Sequence, residues 1–244
     1  PPRSTLDRSS AASDVYKRQV PIIMNTSEES SHYTTYLSQN AQDLGASGLM
    51  IKPPMFDQAP QNSIETHFIK VAESVNIPIF MQDQGNSPIS GELAIRLSNA
   101  NENLSYIKLE SIPTIPRFDY CNTNASRDKL ILFGGVGGSY FIEELRRGSS
   151  GTMPSSVLPD VFVKTWDLWN EGKQEEAQDY LKEFSELLKI LSQGLGLSSW
   201  INKYVLYKRG VIKQESSYAR IPGLHPTSMH LKEIDRILET TQLV

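Results

Sequence analysis

The chain has 244 residues, of which 39% are hydrophobic, and its 24 basic and 28 acidic side chains give a formal net charge of −4. This balance disfavours nucleic acid as the main partner, because neutralising phosphates needs a clustered surplus of Lys and Arg. No apolar run reaches the length of about 18 residues that indicates a membrane span. The single cysteine, Cys121, excludes a disulfide framework and a zinc site built on cysteines. These features predict a soluble protein of a reducing compartment, the cytoplasm.

Residues 1–19 differ in composition from the rest of the chain. They contain four serines and three arginines, but no apolar stretch of about 7–15 residues such as a secretory signal requires. Asp7 and Asp14 argue against a transit peptide, which is poor in acidic residues. Because the first strand pattern begins abruptly at Val20, we interpret residues 1–19 as a non-native or disordered leader joined to a truncated reading frame.

From Val20 onward, short apolar runs alternate with helical patterns. The apolar runs predict strands over 21–24, 48–51, 78–81, 104–109, 130–133 and 151–153. Amphipathic periodicity predicts helices over 31–44, 63–75, 91–98, 140–147 and 158–170, and then helices alone over 174–192, 197–208 and 226–240. Asn62 or Ser63 is the predicted cap of helix 63–75. Segment 111–128 is predicted to be irregular, because Pro113 and Pro116 disfavour a helix there.

Strands that are apolar on both faces and alternate with helices predict a parallel sheet with helical cover. Residues 20–173 hold six strand–helix units of about 26 residues each, whereas a closed (β/α)8 barrel takes about 250 residues in all. The predicted fold is therefore an α/β TIM (β/α)8 barrel that lacks its first two βα units. It comprises a partial barrel over 20–173 and a C-terminal helical region over 174–244. A doubly wound open sheet is the alternative, but no dinucleotide fingerprint marks its ligand loop.

Lys108 is the candidate nucleophile. Alternation along its predicted strand places Lys108 on one face with Tyr106 and Glu110. Ile107 and Leu109 lie on the other face and are expected to pack against helices. Barrel active sites form at the C-terminal ends of strands, and a lysine desolvated there loses affinity for its proton. The neutral amine then attacks a carbonyl to give a Schiff base. The alternative is a strand-end lysine that reaches solvent or pairs with Glu110.

Several stretches of the chain carry a family likeness, and they are residues 20–23, 44–48, 52–56, 77–83, 106–110, 133–135 and 148–154. Together they resemble the dihydrodipicolinate synthase / N-acetylneuraminate lyase family of Schiff-base aldolases and dehydratases. The stretch 106–110 resembles the family's lysine strand. The resemblance implies a barrel fold, a Schiff base between Lys108 and a 2-keto acid, and a homotetramer.

The sequence departs from the family pattern around the implied site. Gln82, followed by Asp83, stands where many members carry a tyrosine that relays protons, and an amide does not titrate. Ser87 stands near the arginine of the synthases, and Met55 or Phe56 matches a loop tyrosine. The threonine pair of the family's second strand has no counterpart in this chain. These departures point away from true dihydrodipicolinate synthase and towards a divergent member that acts on another 2-keto acid or a sugar acid.

Residues at the implied barrel mouth form the predicted substrate-binding set. That set comprises Gln82, Asp83, Gly134, Gly135 and Met153. The glycine-rich run 134–138 is neither a Walker pattern nor GxGxxG, so nucleotide binding is not favoured. The resemblance implies that this run lets the backbone approach the substrate closely, and a plain tight turn is the equal alternative.

The remaining reactive side chains point to no metal and no cofactor. The four histidines lack the spacing of metal ligands and are predicted to lie on the surface. They are His32, His67, His225 and His230. Cys121 is predicted to be a small buried or loop residue, not a nucleophile. Five aromatic residues recur at helical spacing and are predicted to serve core or subunit packing. They are Trp166, Trp169, Trp200, Tyr204 and Tyr207.

The sequence supports three functional hypotheses. The first is a class I lyase, an aldolase or a dehydratase, that forms an imine between Lys108 and a 2-keto acid. The second is a relative that binds a keto acid without proton transfer, since Gln82 replaces the tyrosine. The third is an inactive fragment. With two of eight strands absent, the layers of a barrel interior are incomplete, so residues 20–244 alone are expected to be aggregation-prone or partly molten, and inactive.

Overall fold

A computed structural model describes residues 20–84, 86–220 and 223–244, and the predicted leader over 1–19 lies outside them. The chain divides by its contacts into two compact units. The first unit comprises the residues up to Phe133 together with Glu144–Ser150, and the second comprises Gly134–Glu143 and Gly151–Val244. These boundaries differ from the one at residue 173 that the sequence predicts.

The first unit contains a parallel β-sheet. Its strands are β1 (Ile23–Asn25), β2 (Gly48–Ile51), β3 (Ile79–Asp83), β4 (Tyr106–Leu109) and β5 (Ile131–Phe133). Each strand pairs in parallel with the next one along the chain, so the strand order is β1-β2-β3-β4-β5. The prediction of an α/β fold with a parallel sheet is confirmed. Residues 102–104, just before β4, form a 3-10 turn, so this strand begins later than predicted.

Four helices of the first unit follow β1 to β4 in alternation with them. They are α1 (Ser31–Asp43), α2 (Gln61–Ala72), α3 (Gly91–Ala100) and α4 (Thr114–Asn124). The predicted cap of α2 is wrong, because the helix begins at Gln61 and places Asn62 and Ser63 inside its first turn. Ser90 does cap α3, since its hydroxyl accepts a hydrogen bond of 3.1 Å from the Leu93 N–H.

The helix α4 contradicts the prediction that segment 111–128 is irregular. Pro113 occupies the cap position and Pro116 the third position of this helix. The first four N–H groups of a helix have no partner within it, so a proline there removes no hydrogen bond. Phe118 and Cys121 on one side of α4 are buried in the core. The helix therefore forms because its apolar side packs and its prolines lie in the first turn or before it.

The two sides of the sheet have different chemistry. One side is covered by α1 to α4 and is apolar. Its buried strand residues are Leu49, Ile51, Ile79, Met81, Ile107, Leu109 and Leu132. The opposite side, here called the Lys108 face, carries Phe80, Gln82, Tyr106, Lys108 and Phe133, which alternate with those residues along β3, β4 and β5. Period-two alternation thus separates a packed aliphatic core from a face on which aromatic and polar side chains are mixed.

The second unit is mainly helical. Its helices begin with α5 (Phe141–Arg146), whose residues from Glu144 onward are assigned to the first unit. They continue with α6 (Pro159–Asn170), α7 (Gln174–Lys182), α8 (Ser185–Leu191), α9 (Leu195–Lys208) and α10 (Ser228–Thr240). The prediction of one helix over 174–192 is wrong, since α7 ends at Lys182 and α8 begins at Ser185. Apolar periodicity does not reveal this break, because α7 and α8 both bury their apolar stripes. The predicted strand 151–153 is reduced to one parallel bridge between Gly134 and Thr152.

Candidate active site

Lys108 lies on β4, on the face of the sheet that is named after it. In register, its neighbours are Gln82 on β3 and Phe133 on β5. Ile107 and Leu109 are buried on the opposite side, as the alternation predicts. The side chain of Lys108 is only 12% exposed, so the amine lies in a largely shielded place at the C-terminal end of its strand.

Glu110 joins Lys108 to Gln82. Its Oε1 lies 3.0 Å from Nζ of Lys108, and its Oε2 accepts a hydrogen bond of 2.6 Å from Nε2 of Gln82. The ion pair that the sequence left as the alternative is therefore present. A carboxylate at this distance from an amine can take a proton from it and return one. The arrangement brings a candidate nucleophile together with a carboxylate that can carry its proton.

An aromatic floor lies beside Lys108 on the same face. The rings of Phe80 and Tyr106 stack with their centroids 4.4 Å apart. The ring of Phe133 meets Phe80 edge-on at 5.4 Å. Phe80 and Tyr106 are register partners two residues before Gln82 and Lys108, so the floor extends towards the N-terminal ends of the strands. Apolar surroundings of this kind strengthen the electrostatic interactions next to them.

Asp83 lies on the helix-covered side of the sheet, opposite to Lys108. Its buried carboxylate accepts hydrogen bonds from Ile89 N (2.8 Å), Ser111 Oγ (2.8 Å) and Arg117 Nε (3.0 Å). Burial raises the pKa of Asp83, although Arg117 and the Ser111 hydroxyl act to lower it. This placement is contrary to the predicted substrate-binding role, because the carboxylate points away from the Lys108 face and is engaged by other groups.

The loop that follows β2 is held by two polar side chains of the first unit. Oε2 of Glu29 accepts hydrogen bonds from the backbone N–H groups of Met55 (2.7 Å) and Phe56 (2.9 Å). The hydroxyl of buried Ser87 donates to the Pro54 carbonyl at 2.6 Å. Phe56 itself is 88% exposed. Ser87 therefore supports this loop and does not replace the arginine of the synthases as an anion ligand.

The predicted substrate residues Gly134, Gly135 and Met153 belong to the second unit. The backbone of Gly134 accepts a hydrogen bond from Met153 N (3.1 Å) and donates one to the Gly151 carbonyl (2.9 Å). After Gly135 the chain forms a 3-10 turn in which residues 136–138 have φ values of 49°, 65° and 83°. The glycine-rich run is thus a tight left-handed turn, and substrate contact by these residues stays a prediction.

Other residues singled out by the sequence have mixed outcomes. The prediction that all four histidines are on the surface is wrong for His67, which is buried in α2. Its spacing of three residues from Ile64 and four from Val71, both on the apolar stripe, is the signal that was overlooked. Cys121 is buried, and burial raises the pKa of its thiol to about 11. The aromatic residues of α6 and α9 that were assigned to packing are half-buried, and they are Trp166, Trp169, Trp200, Tyr204 and Tyr207.

Sequence reasoning did not identify Ser111 and Arg117 as members of the Asp83 cluster. Both lie in the segment that was predicted to be irregular, so no face could be assigned to them. Among the described residues, no three His, Cys, Asp or Glu side chains are grouped as metal ligands would be. In the same part of the chain, no helix combines the length and the apolar composition that crossing a membrane requires.

Comparison with known proteins gives the family. Residues 9–241 match the dihydrodipicolinate synthetase family. The chain belongs to this family. The match begins inside the segment that the sequence analysis interprets as a leader.

Individual members of the family show how far the likeness extends. The chain is 27% identical to L-2-keto-3-deoxyarabonate dehydratase of Azospirillum brasilense over 236 residues, which are 91% of this chain and 73% of the dehydratase. It is 25% identical to 4-hydroxy-tetrahydrodipicolinate synthase of Methanopyrus kandleri over 185 residues, which are 73% of this chain and 60% of the synthase. The chain thus spans about two thirds of the length of these curated relatives.

Solved structures of the family share the fold. Dihydrodipicolinate synthase of Thermotoga maritima superposes with a TM-score of 0.87 at 20% identity, over 98% of this chain and 81% of that one. YagE, a prophage protein of the dihydrodipicolinic acid synthase family from E. coli K12 solved in complex with pyruvate, gives a TM-score of 0.86 at 19% identity, over 96% of this chain and 80% of that one. At such low identity, the likeness concerns the fold.

Proposed function

We propose that the protein is a class I lyase in which Lys108 forms an imine with the C2 carbonyl of a 2-keto acid or a keto-deoxy sugar acid. The observation that carries the proposal is the position of Lys108, with its amine 3.0 Å from Glu110 on a largely shielded face. The dehydratase of a keto-deoxy sugar acid among the relatives supports the sugar-acid class. The pyruvate complex of a family structure supports the 2-keto acid group.

Lys108 and Glu110 would share the steps that build the imine. Glu110 takes a proton from the Lys108 ammonium, and the neutral amine attacks C2 of the keto acid. Glu110 passes this proton to the C2 oxygen and then carries a second proton from the attached nitrogen to the same oxygen. The oxygen leaves as water when the nitrogen lone pair forms the C=N bond. Gln82 holds the carboxylate in place through its 2.6 Å hydrogen bond. In this scheme Glu110 carries the proton, as the family's tyrosine would and as the amide of Gln82 does not.

The imine then makes the rest of the reaction accessible. It draws electrons from C3, so that loss of a C3 proton gives an enamine. In a dehydratase the enamine expels the C4 hydroxyl, which leaves as water after taking a proton. In an aldolase the iminium accepts the electrons of the C3–C4 bond while the C4 hydroxyl loses its proton. We place Gln82, Gly134, Gly135 and Met153 around the substrate, and we assign no metal and no cofactor to the reaction.

The wider setting is part of the same proposal. We assign the parallel strands to a (β/α)8 barrel of which residues 20–173 form the later units, with 174–244 as a helical extension. The TM-score of 0.87 with a family structure, over 98% of this chain and 81% of the other, supports this assignment. We also propose that the enzyme works in the cytoplasm as a homotetramer.

A second candidate function is a protein that binds a keto acid without catalysis. Gln82 favours it, because an amide replaces the titratable tyrosine of the family at this position. Glu110 favours the enzyme, because it places a titratable carboxylate beside Lys108. The two functions differ in one measurable step, which is proton exchange at C3 of the bound keto acid.

The exchange of C3 hydrogens of pyruvate for deuterium tests the proposal in the complete gene product that contains these residues. The wild-type protein is expected to catalyse exchange. Lys108→Arg is expected to abolish it, since the guanidinium keeps the charge beside Glu110 but does not form an imine. Glu110→Gln is expected to slow it about 100-fold, the usual scale of general acid–base catalysis. Lys129→Arg, at an exposed position, is the control and should exchange normally.

Two outcomes would contradict the proposal. Pyruvate that raises the melting temperature of the wild-type protein without any C3 exchange would identify a binding protein. Exchange that survives in Lys108→Arg would show that another group carries the chemistry.

A further inference from the structure

Consecutive residues at the ends of β3 and β4 make two cross-links on opposite sides of the sheet. On the Lys108 face, Gln82 donates to Glu110 at 2.6 Å. On the helix-covered side, the next residue of each pair repeats the contact, because Asp83 accepts from Ser111 Oγ at 2.8 Å and from Ser111 N at 3.2 Å. Glu110 is therefore held through its own side chain and through the residue that follows it.

Arg117 extends the second cross-link to the helix α4 and to the loop after β3. Its Nε lies 3.0 Å from Oδ2 of Asp83, and its guanidinium also donates to the Ile89 carbonyl. The Ile89 N–H donates in turn to Oδ1 of Asp83 at 2.8 Å. One carboxylate thus connects the end of β3, the loop before α3, the residue after Glu110 and the first turns of α4.

Burying a carboxylate between these segments costs desolvation free energy. The side chain of Asp83 is 0% exposed and that of Arg117 is 24% exposed. A buried ion pair commonly adds little net stability compared with apolar residues of the same size, whereas removing one partner leaves an unpaired buried charge. What the pair provides is orientation, since the four hydrogen bonds that the Asp83 carboxylate accepts fix the backbone on each side of it.

We propose that Asp83 and Arg117 are positioning residues for the reaction, which hold Glu110 at its distance from Lys108 through Ser111. This inference rests on the proposed function, because it assigns the purpose of the cluster to proton transfer between Lys108 and Glu110. Asp83 takes no part in the chemistry and does not touch the substrate. Its effect on the rate passes through Glu110 and disappears when the carboxylate at position 110 is replaced by an amide.

Asp83→Asn tests this dependence, measured in the wild-type background and in the Glu110→Gln background of the complete gene product. The amide keeps the shape of the carboxylate but turns a donor towards Arg117 or Ser111. In the wild-type background, kcat for C3 exchange of pyruvate should fall about 10- to 100-fold with little change in KM, since a displacement of about 1 Å at a catalytic group costs about 100-fold. In the Glu110→Gln background, the same substitution should change kcat less than about twofold, because groups that act as a unit are not additive.

Two further variants keep the test decisive. Ser111→Ala removes one hydrogen bond to Asp83, is expected to fold even if Asp83→Asn does not, and should show the same dependence on Glu110 with a smaller loss. Asp119→Asn breaks the ion pair of 2.8 Å between Asp119 and Arg147, which also involves α4 but is largely solvent-exposed. It should leave kcat unchanged in both backgrounds.

The outcomes separate this inference from the proposed function. Equal losses of kcat in the two backgrounds, with matching losses of melting temperature, would show that the cluster only stabilises the fold and would overturn the inference. A wild-type protein that exchanges no C3 hydrogen would overturn the proposed function and the inference together.

Discussion

At the scale of single residues, His67 is a titratable group held inside the core. Its Nδ1 lies 2.9 Å from Ser31 Oγ, and its Nε2 is buried without a hydrogen-bond partner among the residues that the structure describes. The ring meets Phe68 edge-on. Burial lowers the pKa of His67 from its usual 6.5 to about 4, although nearby Glu29 acts to raise it.

This lowered pKa predicts that stability is lost on mild acidification. The unfolded chain binds a proton as pH falls through 6.5 while the folded protein does not until pH reaches about 4. The free energy of unfolding therefore falls between these values and is unaffected by His67 above them. The contribution lost between pH 7 and pH 5 is about 2 kcal/mol, since one pKa unit corresponds to about 1.4 kcal/mol.

Urea denaturation of wild type and His67→Gln at pH 7 and pH 5 checks this expectation. Glutamine does not titrate, so the variant should lose about 2 kcal/mol less than the wild type between the two pH values. His32→Gln is the control, because His32 is on the same pair of helices but exposed. Identical pH dependence of wild type and His67→Gln would contradict the burial of a neutral imidazole at this position.

The site residues divide into those that alternation can reveal and those that it cannot. Lys108 could be placed from sequence, since its apolar neighbours on the strand define the opposite face. The link from Lys108 to Gln82 through Glu110 could not be predicted from the sequence, because it depends on the register between β3 and β4. Asp83 follows Gln82 and was predicted to share its role, yet period-two alternation turns it to the other side of the sheet.

At the scale of elements, the turn at residues 136–138 is fitted closely to α6. Gly138 has φ of 83°, and a methyl group on its Cα would overlap the ring of Phe162 on α6. Gly172, which follows the end of α6, has a similar φ of 81° but no atom within 4 Å of the place where a Cβ would lie. The two glycines share the same backbone demand and differ only in packing.

Alanine substitutions at these glycines should therefore have unequal effects. Gly172→Ala should lower the free energy of unfolding by about 1–2 kcal/mol, the cost of a left-handed conformation for a residue with a Cβ. Gly138→Ala should lose about 1–3 kcal/mol more, because the overlap with Phe162 forces the turn or the ring to move. Urea denaturation of the two variants measures the difference. Equal losses would show that the turn adjusts and that close packing is not its purpose.

The helix α4 shows that the residue types in a segment do not by themselves predict whether it forms a helix. By residue type alone, Pro113 and Pro116 predict an irregular segment, but a proline costs a hydrogen bond only after the first turn. The break between α7 and α8 is the opposite case, because continuous apolar periodicity predicted one helix where two exist. For α4, the position of each proline within the helix decides whether the helix forms. For α7 and α8, the apolar spacing continues across Phe184 and so gives no sign that one helix ends there and another begins.

At the scale of the whole molecule, the alternation of apolar runs with helical patterns predicted the parallel sheet and the order of its strands and helices along the chain. This succeeded because the strands of a parallel sheet read as short, nearly continuous apolar runs, and the helices that connect them read as amphipathic stretches. The length of each strand was less predictable, since a strand extends only as far as the adjacent strand forms hydrogen bonds with it. The run 151–153 accordingly forms a single bridge, between Thr152 and Gly134, instead of a full strand.

The proposed function depends above all on an imine at Lys108, and reductive trapping tests for this imine most directly. The complete gene product is incubated with pyruvate, reduced with borohydride and digested, and its peptides are sequenced by mass spectrometry. We expect a reduced pyruvate adduct on Lys108, none on Lys52 at the start of the loop after β2, and none anywhere in Lys108→Arg. Absence of an adduct on Lys108 in the wild-type protein, or an adduct that persists on another lysine in Lys108→Arg, would contradict the proposed function.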